Sequence, residues 1–126
     1  MSTHYVLIGS GIAALSAAES IRATDAAGKI TLISEERHPF YSRPGLAYLL
    51  DGTIPENQLW IRSAACESEL GLDRWHGSAS ELDAHEHLLT LRNGSQLRYD
   101  RLLMATGAAS IAPAFPGAEL DGVVQL

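Results

Sequence analysis

The residues best suited to chemistry are Gly9-Ser10-Gly11-Ile12-Ala13-Ala14, and the chemistry they suit is holding a phosphorylated ligand. Their spacing is G-x-G-x-x-A. Gly9 permits a tight turn out of a strand. Gly11 lets the backbone approach a diphosphate with no Cβ in the way, and Ala14 keeps the following helix close to a sheet. The helix N-terminus adds unpaired N–H groups and a partial positive charge. Glu35 lies 21 residues beyond Ala14, where a carboxylate accepts hydrogen bonds from an adenosine ribose. It favours a free 2′-hydroxyl over a 2′-phosphate, because two anions would repel. Its neighbour Glu36 reads as a solvated charge, with a second ribose contact as the alternative.

Such a loop needs a strand before it, a helix after it and a second strand carrying the acid. The chain supplies all three. His4 to Ile8 is a short run suited to a buried strand, Gly11 to about Thr24 is Ala-rich and helical, and Lys29 to Ser34 is a second apolar strand. Ile12, Leu15, Ala18, Ile21 and Arg22 recur near the helical period, and Gly28 supplies a stop. Pro44 suits the first turn of a short helix with Ser42 as its cap, closed by Asp51-Gly52. The segment 55–71 reads as one or two further helices, and Leu72 to His76 as a third strand. Leu89, Leu91, Leu97 and Tyr99 alternate around Asn93-Gly94, the signature of a type I′ hairpin. An apolar strand then ends in Ala105-Thr106-Gly107, before an irregular tail.

Composition narrows the function classes. The chain has 126 residues, a 46% hydrophobic share and a net charge of −6. That fits one compact domain with a real core. Its basic residues are scattered, so no nucleic-acid partner is expected. No apolar run has transmembrane length, and the N-terminus lacks the regions of a signal peptide, so a cytoplasmic protein with no membrane partner is expected. One cysteine, Cys66, excludes an internal disulfide. His85 and His87 would point the same way in a strand, but no further ligand joins them; a solvated hairpin edge is expected and no metal site. No G-x-S-x-G context supports a hydrolase.

The fingerprint recognises an ADP moiety and does not separate NAD from FAD. The hairpin placed before the last apolar strand departs from a plain nicotinamide domain. Four stretches taken in order, residues 9–14, "ITLISEE", "PFYSRPGLAYLLDG" and "YDRLLMATGA", make the chain resemble the N-terminal segment of the FAD-dependent pyridine nucleotide-disulfide oxidoreductase superfamily. "YSRP" before an apolar short helix is most similar to the branch holding ferredoxin, rubredoxin and nitrite reductases. The resemblance implies a Rossmann-like α/β FAD-binding domain, a central parallel sheet carrying an antiparallel meander or hairpin insertion. It implies that Gly9, Ser10, Gly11, Ile12, Ala13 and Ala14 hold the pyrophosphate and that Glu35 holds the ribose. It implies that Arg43 touches the cofactor, that Ala79 offers backbone to the adenine, and that Ala105, Thr106 and Gly107 pass near it. No catalytic residue is implied.

The disulfide-reducing branches place a redox cysteine in the short-helix region. This chain has Arg43-Pro44-Gly45-Leu46 there, and Cys66 falls too late. Thiol-free chemistry is therefore expected: NAD(P)H gives hydride to FAD, which passes electrons to a ferredoxin- or rubredoxin-type carrier or a small oxidant. Tyr48 stands where ferredoxin-reductase relatives often carry a lysine, so the resemblance points to the branch rather than to one member. Residues 1–126 correspond to the N-terminal FAD segment alone. The nicotinamide, returning FAD and interface segments are expected elsewhere in a longer parent, and the isolated chain is expected to bind FAD weakly or not at all and to be inactive. A free-standing NAD-binding module and a non-catalytic, homodimerising subunit are the alternative readings.

Overall fold

His4–Ile8 (β1) is the centre of the molecule. In the computed structural model, which describes residues 2–124, it pairs in parallel with Lys29–Ser34 (β2) on one side and Arg101–Met104 (β7) on the other. Leu72–His76 (β3) adds to the far edge of β2, giving the parallel order β3-β2-β1-β7. The register aligns Ile8 with both Ile33 and Met104. The carboxyl ends of three strands therefore finish together. Two bonds lock that edge: Gly9 N–H donates to Ile33 O at 2.8 Å and Ala105 N–H to Ile8 O at 2.8 Å.

Alternation along the strands assigns their two faces. Leu7, Ile30 and Leu32 meet Ala14, Leu15 and Ala18 of the helix Ile12–Thr24 (α1), with Phe40 beside them. Val6, Ile8 and Ile33 meet Leu89, Leu91 and Leu97 on the opposite side. Those three leucines belong to an antiparallel sheet of Ala79–Asp83 (β4), Leu88–Leu91 (β5) and Gln96–Arg98 (β6). The sheet is thus covered by a helix on one face and a three-stranded meander on the other, which is why β1 and β2 read as continuous apolar runs.

Several local expectations are corrected. Helix α1 ends at Thr24, and Asp25 rather than Gly28 manages the exit, its carboxylate accepting the N–H groups of Ala27 and Gly28 at 3.2 and 2.8 Å. Ile12 lies outside the buried stripe and is 60% exposed. The segment 55–71 forms only a 3-10 turn at Glu56–Gln58 and the four-residue helix Cys66–Glu69 (α3). Among the described residues only His87 combines a side chain with positive φ, so Asn93-Gly94 is not a type I′ turn. Gly94, at φ 84°, instead follows a turn closed by its N–H to Leu91 O at 2.9 Å, and the Asn93 side chain accepts Ser95 N–H at 2.9 Å. This is the three-residue hairpin with a left-handed glycine, and it suits Asn93 without forcing it to positive φ. His85 and His87 lie in the β4–β5 turn rather than in a strand. The short helix Gly45–Leu50 (α2) follows Pro44, and the Ser42 hydroxyl accepts Gly45 N–H at 3.1 Å. No helix among the described residues is long and apolar enough to cross a membrane.

Candidate functional site

The strand ends open into a cleft of about 340 Å³, within the size range of small-molecule sites. Gly9, Ser10 and Gly11 line one wall, Glu35 and Arg43 another. Ala105, Thr106 and Gly107 close the β7 side, and Ala79 stands at the start of the meander. The other three sequence candidates are not in the lining. Ile12 and Ala13 are exposed on the first turn of α1, and Ala14, at 0% exposure, is packed against the sheet.

The two motif glycines are needed for different reasons. Gly9 has φ +114°, and a Cβ there would stand 2.1 Å from Ala105 O. It is required by the close passage of β7. Gly11 has φ −85°, which any residue adopts. A Cβ on Gly11 would meet nothing nearer than Arg43 Nε at 3.7 Å. Packing does not demand a glycine at position 11; a diphosphate lying against that backbone would. The helix that begins there has no side-chain cap and no acid in its first turn, so its leading N–H groups stay available to an anion. Gly107 has φ +71° with open space around it, so its glycine serves the backbone conformation.

The adjacent acids are separated by their partners. Glu36 is engaged: Arg43 Nη1 and Nη2 donate to its two oxygens at 3.2 and 3.3 Å, and Tyr41 Oη donates to Oε1 at 3.2 Å. Glu35 lines the cleft and has no hydrogen-bond or ion-pair partner among the described residues. Glu36 is therefore not the fully solvated charge read from sequence. Arg43 also lies 5.3 Å over the Tyr41 ring, and burial pushes the Tyr41 hydroxyl above its ordinary pKa. The guanidinium is held at the rim by its outer nitrogens, with Nε towards Gly11. The loop itself is fixed from behind. Arg74, paired with Glu67, donates to Glu36 O at 3.1 Å.

Sequence reasoning missed Ser34, Gly77 and Ser78, which also line the cleft. Gly77 N–H donates to Ser34 O at 3.0 Å, so the β3–β4 turn is tied to the end of β2. The Gly77-Ser78 pair after "LDRWH" was the available signal. Cys66 lies elsewhere, in the core beside α1, and burial raises its thiol pKa. A protonated thiol is a poor nucleophile.

These features match a class: α/β domains whose nucleotide sites lie in the crevice beyond the strand ends. The comparison with known proteins makes the class specific. The chain belongs to the pyridine nucleotide-disulphide oxidoreductase family, whose description matches residues 3–126. That family binds FAD and takes NAD(H) as substrate. The chain is 35% identical over 128 aligned positions to the ferredoxin–NAD(+) reductase subunit of a benzene 1,2-dioxygenase system from Pseudomonas putida, spanning 100% of this chain and 31% of that protein. It is 36% identical over 122 positions to a nitric oxide reductase FlRd-NAD(+) reductase of Klebsiella pneumoniae, spanning 95% and 32%. The ferredoxin reductase of the CYP199A2 system from Rhodopseudomonas palustris superposes with a TM-score of 0.84 at 30% identity, over 98% of this chain and 31% of that one. The chain thus spans about a third of the length of these relatives.

Proposed function

We propose that this chain is the first FAD-binding segment of an NAD(P)H-dependent flavoprotein reductase that passes electrons to a ferredoxin- or rubredoxin-type carrier, or to a small oxidant, without a redox-active disulfide. The observation that carries the reading is Gly11: a glycine that neither φ nor packing requires, at an uncapped helix end, lining the same cleft as a carboxylate, Glu35, with no partner among the described residues. The relatives' names, which include ferredoxin and FlRd reductases, support the carrier class. FAD when bound supplies the step between a two-electron donor and a one-electron acceptor.

The residues' part in this reading is to bind and orient. The Gly9–Ala14 turn and the first N–H groups of α1 receive the diphosphate, and Glu35 accepts from the ribose. Ala79 borders the adenine, and Arg43 lends positive charge at the rim. Ala105, Thr106 and Gly107 form the wall along which the cofactor runs. We assign these 126 residues to one part of the FAD site and the nicotinamide site to other segments of a longer cytoplasmic protein. The thiol-free route rests on Cys66, which is buried away from the cleft.

Fluorescence titration of the chain with FAD and NADH side by side tests this. FAD binding is expected at lower concentration than NADH binding, with no NADH oxidation. Tight NADH binding without FAD affinity would instead establish a free-standing NAD module.

A further inference from the structure

Ser10 and Ser34 face each other across the strand ends with their Oγ atoms 2.8 Å apart. Each is only 6% exposed, and both line the cleft. Ser34 Oγ also accepts the N–H of Glu36 at 3.0 Å. Two hydroxyls carry two hydrogens. One lies between the oxygens, and no acceptor among the described residues takes the other. A buried pair therefore has one O–H left to give, and the cleft is where it can be given.

Direction follows from position and polarity. Ser10 sits between the two glycines of the phosphate loop, while Ser34 already receives an N–H. With Ser34 donating to Ser10, the order is Glu36 N–H to Ser34 O–H to Ser10 O–H, and each bond polarises the next. The free hydrogen then emerges beside Gly9 and Gly11, where an anionic oxygen would draw it. We propose that Ser34 is a positioning residue that fixes the Ser10 hydroxyl so that Ser10 donates to a phosphate oxygen of the bound ADP moiety. This rests on the FAD reading above and names a residue outside the glycine motif. It also couples the phosphate loop to the backbone of the loop that carries Glu35.

The test is titration of the ¹⁵N-labelled chain with ADP and with adenosine, followed by NMR. Ser34→Ala is expected to weaken ADP binding about tenfold, the scale of one hydrogen bond to a charged group, and to leave adenosine binding unchanged. Ser34→Thr, which keeps a hydroxyl, should restore ADP binding. Ser10→Ala should lose at least as much as Ser34→Ala, and the double variant no more than Ser10→Ala, because both act through the one Ser10 donor. If Ser34→Ala does not fold, Ser34→Cys, close in size but only a weak hydrogen-bonding group, takes its place in the same comparisons. Wild-type ADP affinity in Ser34→Ala, additive losses in the double variant, or an equal loss of adenosine affinity would overturn the proposal. Failure of the unaltered chain to show ADP-induced shifts at the cleft would instead overturn the FAD reading, and this proposal with it.

Discussion

Gly9→Ala is expected to cost most of the protein's stability. The new methyl would stand 2.1 Å from Ala105 O and 2.8 Å from Ala105 C. Both are backbone atoms, and Ala105 is anchored by its own N–H to Ile8 O at 2.8 Å. No side chain can swing aside to relieve the contact. Either β7 separates from β1 or the turn at position 9 changes course. Separation disrupts the ladder from Tyr5↔Arg101 to Ile8↔Met104. The φ of +114° adds further strain for any residue with a Cβ. Together these place the loss above about 4 kcal/mol, at the exceptional end for one substitution, against a typical total of about 5–15 kcal/mol. Denaturant unfolding followed by circular dichroism checks it, and a midpoint close to that of the unaltered protein would show that β7 does not pass as described.

Two residues on, Gly11→Ala is expected to do the opposite. Its φ of −85° is ordinary, and the added Cβ finds Arg43 Nε at 3.7 Å, a normal contact. Stability should stay within about 0.5 kcal/mol, as for most substitutions free of packing conflict. Binding should suffer, because the methyl occupies the surface against which the diphosphate lies. Losing one charge-assisted bond from the helix end costs about 1.5–3 kcal/mol, a weakening of ADP or FAD affinity by roughly 10- to 100-fold. Equal affinity in the variant and the parent would show that the phosphate does not approach Gly11. The contrast between the two glycines separates a structural from a ligand-imposed need for glycine within one six-residue motif.

How far the sequence reached depends on whether the determining partner was local. β1, α1 and β2 were legible because each is specified by its own run of residues, and β7 because "RLLM" is apolar and ends in A-T-G. β4 was not: Ala79–Asp83 is mostly exposed, and it is a strand because of its pairing to β5. The segment 55–71 carries helix-forming composition but is interrupted at Trp60, which bridges to Tyr41. The reason for Gly9 lies in β7, far along the chain, so the motif alone assigns it only a turn. Glu35 and Glu36 are indistinguishable neighbours until Arg43 and Tyr41 take up Glu36. Ser34 was passed over for a similar reason: it becomes part of the site only through the register that sets it opposite Ser10.

The central claim is that the cleft at the strand ends receives the ADP part of FAD. A crystal structure of the chain with ADP tests it most directly. The account predicts the diphosphate against Gly11 and the first N–H groups of α1, with the ribose hydroxyls on Glu35. An ADP molecule bound elsewhere, or one whose diphosphate lies away from the α1 terminus, would contradict it.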